Sequence, residues 1–424
     1  MDYSKLRIYP AQMETQSFGK MQVNVVTEAG ARPIQDANIQ ISYTADPTST
    51  IEEITTDISG RSPAIELPAP PIEYSLEPSA VQPYSEYTLK ITAPGFETVV
   101  VNGSNLLPDV TAIQPVRMLP ETNEPESAEL FVIAPHTLYY EYPPKIAEDE
   151  IKPVNESGEI VLSRVVVPEY VVVHDGAPTD STAQNYYERY RDYIKNVASS
   201  EIYATWPEAA IYANILAIMS FTLNRVYTEW YRNKGYNFTI TSSTAFDHKW
   251  IAGRNVFDNI SLAVDNIFNN YLSRPNVKQP ILTQYCDGQR VTCPNWMSQW
   301  GSKNLADQGY DASRIIKYYY GQDMFINSAS EVAGVPSSWP GSNLTIGSRG
   351  ESVSQMQDQL NVIAGVYTLI PKIAVDGVFG QQTAEAVRVF QRVFNLPVTG
   401  VVDFTTWYKI SEIYVAVSRI AELR

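Results

Sequence analysis

The sequence is poor in several features, and each shortage excludes a class of protein. It contains only two cysteines among 424 residues, which excludes a disulfide scaffold. No stretch is strongly basic, so binding of nucleic acid by neutralising phosphates is not expected. The longest uncharged apolar stretch, residues 209–224, falls short of the ~20 residues that a membrane-spanning helix needs. The first residues lack a basic region followed by an apolar one, so no secretory signal peptide is predicted.

The charges that are present are unevenly distributed. Residues 1–160 contain 24 acidic and 9 basic side chains, a balance of −15, whereas residues 161–424 contain 23 and 22, a balance of −1. Eighteen of the 28 prolines lie at or before Pro153. With 44% hydrophobic residues the chain can bury real cores. An acidic, proline-rich front is therefore joined to a near-neutral remainder.

The front, residues 1–118, is predicted to be a β-sandwich. Short alternating runs are separated by turn residues every 8 to 12 positions, a spacing typical of small sandwiches. Residues 32–38, 83–90 and 93–96 resemble the carboxypeptidase regulatory-like β-sandwich, which implies a structural module. Residues 119–164 are acidic, polar and rich in proline, which predicts an extended, exposed linker that proteases can cleave.

A middle domain of α+β class is predicted over residues 165–333, followed by a spacer over residues 334–343. It begins with a β-rich segment at residues 165–173, and the spacing of apolar residues predicts a helix over residues 182–198. A capping box, with Thr205 as N-cap and Glu208 at the third position, predicts a long helix that ends before Gly235. Two further helices are expected, over residues 257–271 and 310–320.

Residues 344–414 are predicted to form a small three-helix unit, followed by a helical tail at 415–424. The turn Val375-Asp-Gly-Val-Phe-Gly380, the Phe390-Gln391 pair and the Thr399-Gly400 pair resemble the type 1 peptidoglycan-binding domain. The resemblance implies that the unit binds cell-wall peptidoglycan. Asp376, Phe379, Gln381 and Thr383 are the candidate ligand contacts, and they are not carried over from the resemblance.

The middle domain carries a candidate catalytic glutamate. Glu201 ends one helix-like segment, and the stretch Trp206-Pro-Glu-Ala209 opens the next, which carries Asn224-Arg-Val-Tyr227. This order resembles the SpoIID family of peptidoglycan lytic transglycosylases. The resemblance implies that Glu201 is the catalytic acid and that Arg225 and Tyr227 contribute to substrate binding. The alternative from the residues alone is that Glu201 merely flanks a helix end.

A second segment of the same resemblance lies downstream. Trp296-Met-Ser-Gln-Trp-Gly301 fits the signature Gly-Met-Ser-Gln-Trp-Gly of the SpoIID family, although Cys293-Pro-Asn295 replaces the Gly-His-Gly that usually precedes it. The resemblance implies that Ser298, Gln299 and Trp300 line the glycan groove, with a packing role for Trp300 as the alternative. His248 follows a Thr/Ser-rich segment of the same family and is a further groove candidate.

The order of the three parts resembles the SleC-type family of spore cortex-lytic enzymes. This resemblance implies a zymogen whose front is an inhibitory pro-region, removed during germination by a subtilisin-like Csp protease. It also implies a location in the cortex or coat region of the spore, and a substrate, cortex peptidoglycan, that contains muramic-δ-lactam. No cofactor, nucleic acid or membrane is expected as a partner.

The chemistry of glycan cleavage separates the remaining alternatives. A lytic transglycosylase can use one carboxyl group, first as acid and then as base, and it leaves a 1,6-anhydromuramoyl end. A muramidase-type hydrolase needs a second carboxylate, for which Asp247 is the candidate. A non-catalytic wall-binding or spore-coat protein would need neither.

The two cysteines, Cys286 and Cys293, could form a disulfide or remain as packed thiols. A zinc site with His248 or His174 is the alternative, but the spacing of the cysteines is wider than that of usual zinc pairs. The single-glutamate chemistry needs no metal.

Overall fold

The computed structural model describes residues 17–27, 32–121, 128–152 and 162–418. The chain is a multidomain α+β protein, with a β-rich front, a mixed middle part and a helical C-terminal region. The front contains the strands and the short helix β1 (Ser17–Thr27), β2 (Asn38–Tyr43), β3 (Asp46–Thr55), β4 (Ile65–Ala69), α1 (Glu73–Leu76), β5 (Ser85–Thr92), β6 (Val99–Leu106), β7 (Thr111–Met118) and β8 (Glu129–Val132).

These strands form two sheets that share one core. One sheet has the order β3-β2-β5-β6-β8, and the other has the order β13-β7-β1-β4, in which β13 (Val256–Phe257) is contributed by the middle part. Alternate residues of β1, namely Met21, Val23 and Val25, are fully buried, as expected for a strand with one face turned inward. The hydroxyl of Ser104 in β6 donates to Gln114 Oε1 in β7 over 2.9 Å and so joins the two sheets within the core.

The middle part combines short strands with helices, and its first strand pair corrects the predicted helix over 182–198. Its elements are β9 (Val166–Val167), β10 (Tyr170–His174), β11 (Asn185–Arg189), α2 (Tyr190–Glu201), α3 (Glu208–Tyr227), β12 (Ile240–Thr241), β13 (Val256–Phe257), α4 (Asp258–Ile267), β14 (Asn270–Ser273), β15 (Tyr285–Cys286), β16 (Met297–Ser298), α5 (Gln299–Asp307), α6 (Ala312–Tyr320), β17 (Phe325–Ser328) and β18 (Glu331–Val332). Residues 185–189 are a strand because they pair antiparallel with β10, so the helix begins only at Tyr190.

The predicted capping box at Thr205 is also wrong. Helix α3 begins at Glu208 with Pro207 as its N-cap, and the Thr205 hydroxyl donates instead to Ser75 Oγ of the front over 2.7 Å. The helix ends at Tyr227, and Gly235, with φ of 85°, closes a separate 3₁₀ turn, Arg232–Lys234. The expected helix over 257–271 likewise ends at Ile267, because residues 270–273 pair with β17.

Helix α3 is the central helix of the middle part. It is long and apolar enough to cross a membrane by length and composition, but 83% of its most apolar window is buried inside the protein. The helix packs against α2, α4, α5, α6 and β14. It is therefore the core helix around which the other elements are arranged.

Residues 128–152 correct the prediction that 119–164 is an exposed linker. Strand β8 adds in parallel to β6 at the edge of the front sheet. Residues 133–152, named the strap below, then run across the middle part without helix or strand and with a turn at residues 137–139; Leu138, Tyr142 and Lys145 are buried. The strap lacks regular structure as its composition predicts, but its polar groups find partners on the middle part. Residues 153–161 lie outside the described residues, so the expected activation cleavage within 119–164 stays a prediction.

The C-terminal region contains α7 (Glu351–Ala364), α8 (Gln381–Val393) and α9 (Phe404–Ser418). Helix α9 packs against α4 of the middle part, where the rings of Phe404 and Phe268 lie 5.4 Å apart. The guanidinium of Arg61 in the front donates to the carbonyl oxygen of Val393 over 3.0 Å. Both the front and the middle part therefore contact this region.

Candidate active site

Glu201 is the last residue of α2, and its carboxyl group is completely enclosed. The helix ends there because Ile202 adopts an extended conformation, with φ of −134°. Glu201 is 0% exposed. Its Oε1 accepts a hydrogen bond of 2.6 Å from the backbone N–H of Lys249, and its Oε2 accepts one from the hydroxyl of Tyr285. The two bonds fix both carboxyl oxygens in position.

Burial raises the pKa of Glu201, because an enclosed carboxylate loses its hydration. The positive charge of Lys145, the hydrogen bond from Tyr285 and the contact with Lys249 oppose the shift without reversing it. A carboxyl group of raised pKa keeps its proton to a higher pH than an exposed one and can deliver it, as a general acid must.

An aromatic cluster lies against Glu201. The rings of Tyr285 and His248 are stacked 5.8 Å apart, and Phe221 lies 4.5 Å from His248. The hydroxyl of Tyr193 is 3.0 Å from His248 Nδ1. Burial keeps the pKa of His248 well below its usual value, so this imidazole is neutral. His248, a predicted groove residue, therefore lies fully buried behind Tyr285.

The Ser-Gln-Trp segment meets Glu201 at the start of α5. The carboxamide of Gln299 donates to the carbonyl oxygen of Glu201 over 3.2 Å, and Gln299 is fully buried. Ser298 caps α5 by accepting from the N–H of Gly301 over 2.9 Å. Trp300 is 2% exposed, and its ring lies 5.0 Å from that of Trp206. The geometry favours packing for Trp300 and capping for Ser298.

Arg225 and Asp247 form a buried ion pair beside the cluster. Arg225 Nε lies 2.7 Å from Asp247 Oδ1, and both side chains are completely buried. The other oxygen of Asp247 accepts from the hydroxyl of Tyr231 and from the N–H and hydroxyl of Thr241. The remaining donors of Arg225 bind Glu148 of the strap. Asp247 is thus held as a structural acceptor, and Arg225 faces the strap.

Tyr227, at the end of α3, is 8% exposed, and its carbonyl oxygen accepts from the N–H of Leu162. Within the described residues, no hydrogen bond or ring contact links it to Glu201. Glu208 is exposed at the first position of α3. The structure thus brings Glu201 together with Gln299 and leaves Tyr227 and Glu208 outside the site.

Sequence reasoning missed Tyr285, which donates to the Glu201 carboxyl group, and Lys145, whose charge is the largest influence that lowers its pKa. Tyr285 lies in a two-residue strand that shows no periodicity. Lys145 comes from the strap: its ammonium lies 4.6 Å from the centre of the Tyr285 ring and 2.5 Å from the carbonyl oxygen of Asp247. The strap also flanks the helix end, where Thr137 donates to the carbonyl of Ser200. The sequence signal that could have pointed to Lys145 is its position as a basic residue within the acidic segment 119–164.

Cys286 and Cys293 form a disulfide, with their Cα atoms 5.6 Å apart. The zinc alternative is therefore wrong, because both sulfurs are bonded to each other. His174 has other partners: its Nδ1 contacts Asn185, and its ring stacks on that of Phe238. Among the described residues, no group of three His, Cys, Asp or Glu side chains could hold a metal ion. The bond closes the loop that follows Tyr285.

Some predicted ligand contacts of the C-terminal unit are buried, and others are exposed. Phe379 is 0% exposed and belongs to the core. Asp376 Oδ1 accepts from Gln357 Nε2 over 3.0 Å and from the N–H of Val378 over 2.9 Å, so it stabilises its own turn. Thr383 is buried against the same glutamine, whereas Gln381 is exposed at the start of α8. Of the four, Gln381 is the one whose side chain faces outward.

Comparison with known proteins concerns small parts of the chain. A solved structure titled "The crystal structure of SleB N-terminal domain" is similar over 18% of this chain and 99% of that one, with 31% identity and a TM-score of 0.16, which is too low to support a structural argument. No curated protein shows significant similarity. Residues 349–410 match the family described as "Putative peptidoglycan binding domain". The C-terminal region therefore matches a peptidoglycan-binding domain, which supports peptidoglycan as a partner and a function related to the cell wall.

Proposed function

We propose that this chain is the pro-form of a peptidoglycan lytic transglycosylase that degrades spore cortex, with Glu201 as the catalytic acid and base. The observation that supports the proposal best is the meeting of Gln299 and Glu201 over 3.2 Å. The two segments that resemble the SpoIID family are far apart in sequence, yet Gln299 of one binds the backbone carbonyl of Glu201 in the other, whose buried carboxyl group has a raised pKa. The peptidoglycan-binding domain supports the substrate class.

The proposed reaction needs one carboxyl group. Protonated Glu201 donates its proton to the glycosidic oxygen that links muramic acid to glucosamine, and the bond between that oxygen and C1 breaks. The Glu201 carboxylate then takes the proton of the C6 hydroxyl as O6 bonds to C1. The products are a free 4-hydroxyl group and a 1,6-anhydromuramoyl end, and Glu201 is protonated again. No water and no electrons are consumed.

The surrounding carboxylates support this chemistry over a muramidase mechanism, which requires a second free carboxylate. Asp247 accepts four hydrogen bonds. Asp287 accepts three backbone N–H groups of its own loop, from Gln289, Arg290 and Val291. Both side chains are already engaged in holding the fold.

The zymogen part of the proposal rests on the strap. Glu201 is completely buried in the full chain, and Lys145 of the strap lies against its partner Tyr285. A glycan strand cannot reach the carboxyl group until the strap moves. Cleavage by a subtilisin-like Csp protease would release the strap and remove the acidic front; residues 1–160 together have a net charge of −15, which repels an anionic wall.

The proposal is tested by incubating purified cortex with the proteolytically activated chain and measuring the release of soluble muropeptides. Glu201→Gln is expected to lose at least about 1,000-fold of the activity. The exposed Glu208→Gln is the matched control and is expected to retain it. Retention of activity by Glu201→Gln would refute the site, and a wild-type chain that leaves the turbidity of decoated spores unchanged would identify a non-catalytic wall-binding protein.

A further inference from the structure

Two buried glutamines of the middle part bind backbone amides of the strap. Gln284 accepts from the N–H of Glu148 over 2.9 Å and donates to the carbonyl oxygen of Ile146 over 2.8 Å. Gln279 accepts from the N–H of Lys152 over 2.7 Å and donates to the carbonyl oxygen of the same residue over 3.2 Å. They are only 1% and 4% exposed. Each carboxamide therefore uses both its oxygen and its nitrogen on the strap.

Two arginines bind the carboxylates of the strap in the same region. Arg225 holds Glu148 through two nitrogens, at 2.6 and 3.0 Å. Arg274 holds Glu150 in the same paired manner, at 2.7 and 2.8 Å. Paired contacts of this kind are specific for planar carboxylates. The strap thus presents amides and carboxylates, and the middle part offers a matching receptor for each.

This receptor surface is continuous with the candidate active site. Near its start the strap contacts Ser200 through Thr137. Further along, Lys145 lies against the ring of Tyr285, and the next residue, Ile146, accepts a hydrogen bond from Gln284. Gln284 and Tyr285 are neighbours in the chain. The groove that the strap fills therefore leads directly to the carboxyl group of Glu201.

We propose that this groove is the glycan-binding groove, in which Gln279 and Gln284 bind the acetamido groups of N-acetylated sugars. In the same groove Arg225 and Arg274 bind carboxylates of the lactyl or peptide substituents. The strap is a polypeptide substitute for that ligand. The substrate class in this inference is taken from the proposed function. What the inference adds is the set of residues that select the substrate.

The strap can occupy a sugar-binding groove because its backbone and an N-acetylated sugar present the same functional group, a secondary amide. An acetamido substituent is a secondary amide with one N–H and one C=O, as is a backbone peptide unit. When a ligand takes the place of the strap, the carboxamide of Gln284 and the Nε2 of Gln279 need new partners, whereas Gln279 Oε1 also accepts from Asn224 over 3.2 Å. Each group left unpaired beneath the ligand costs about 1–3 kcal/mol. A ligand that carries amides relieves this cost and one that carries amines does not, so the groove discriminates strongly between them.

The test uses the full chain with Glu201→Gln, so that no turnover is needed. The probes are a pentamer of N-acetylglucosamine and its fully de-N-acetylated counterpart. Hydrogen exchange of the strap amides reports displacement of the strap, and it does not respond to sugar bound at residues 349–410. Both probes pay the same cost to displace the strap, so that cost cancels in the ratio of their half-maximal concentrations, which is measured at high salt to screen the charge of the amines.

We expect the N-acetylated pentamer to release the strap at a concentration at least tenfold lower. Gln279→Met and Gln284→Met keep the side-chain length without the amide, and each is expected to reduce that ratio at least fivefold. Gln308→Met, at an exposed position, is the control, and thermal unfolding checks that all variants fold. The proposal would be overturned if the two pentamers released the strap at the same concentration or if neither released it. It would also be overturned if the ratio of their half-maximal concentrations were unchanged in Gln279→Met and Gln284→Met. A chain that binds in this way but cleaves nothing would refute the transglycosylase function alone.

Discussion

The ammonium group of Lys145 lies 4.6 Å from the centre of the Tyr285 ring, and the hydroxyl of that ring donates to Glu201. One residue of the strap is thus placed two contacts away from the candidate catalytic carboxyl group. The charge of Lys145 favours the ionised form of Glu201, whereas the proposed reaction starts from the protonated form. In the proposed pro-form the strap would therefore oppose the reaction by the charge of Lys145 as well as by its position beside Tyr285.

Lys145→Met in the full chain is expected to raise the pKa of Glu201 further, because burial remains and the opposing positive charge is lost. Carbon-detected NMR titration of the glutamate side chains measures this directly. Lys20→Met, at an exposed position of β1, is the control. A Glu201 titration that is the same in wild type and Lys145→Met would show that the strap does not set its protonation.

Tyr285→Phe is expected to reduce kcat by about 10- to 100-fold, since a hydrogen bond to a charged group contributes about 1.5–3 kcal/mol. The bond lowers the pKa of Glu201, so its loss raises that pKa and moves the alkaline limb of the pH–activity profile to higher pH. Tyr318→Phe, an exposed residue of α6, should change neither. A lowered kcat with an unmoved alkaline limb would assign Tyr285 to packing.

Docking of the strap is expected to weaken in acid. Although burial acts to raise the pKa of Glu148, hydrogen bonds and charges from Arg225 and Lys152 lower it from 4.5 to about 2. A depressed carboxyl pKa contributes stability that is present above the unfolded value of 4.5 and is lost as the pH falls towards 2, here about 3 kcal/mol.

Glu148→Gln should flatten this acid dependence, measured as hydrogen exchange of the strap amides between pH 6 and about 2. Glu141→Gln, an exposed position of the same strap, should leave the dependence as it is in wild type. If Glu148→Gln retained the full acid dependence, other carboxyl groups would control release of the strap.

Replacing both cysteines, Cys286→Ala with Cys293→Ala, is expected to lower the free energy of unfolding by about 2 kcal/mol, because the bond closes a short loop. Activity should fall less than in Tyr285→Phe, because the Asp287 side chain still holds the same loop through three backbone N–H groups. Chemical denaturation and cortex digestion measure the two effects. A loss of activity as large as that of Tyr285→Phe would make the disulfide essential for placing Tyr285.

Several parts of this architecture could be predicted from local sequence pattern. The alternation in β1 and the turn signals of the front predict short strands, and the amphipathic pattern near Phe390 predicts α8. The spacing of apolar residues predicts a helix that ends at 198, three residues before Glu201, where α2 ends. The burial and partners of its carboxyl group depend on residues far away in the chain.

Other parts could not be predicted, because contacts distant in sequence override the local pattern. The tyrosines at 186, 190 and 193 fit helical spacing, but pairing with β10 makes the first of them part of a strand. The strap looks like a linker because its composition is polar, and its partners Gln279 and Gln284 lie more than a hundred residues later. Tyr285 belongs to a strand too short to show a period.

The central claim, that one carboxyl group cleaves the glycan without water, is tested most directly by the ends of the products. The activated chain is incubated with purified cortex, and the muropeptides are analysed by mass spectrometry without prior reduction. The account predicts 1,6-anhydromuramoyl ends in the wild-type digest and none above background for Glu201→Gln. Reducing muramoyl ends that incorporate oxygen from ¹⁸O-labelled water would contradict it and identify a hydrolase.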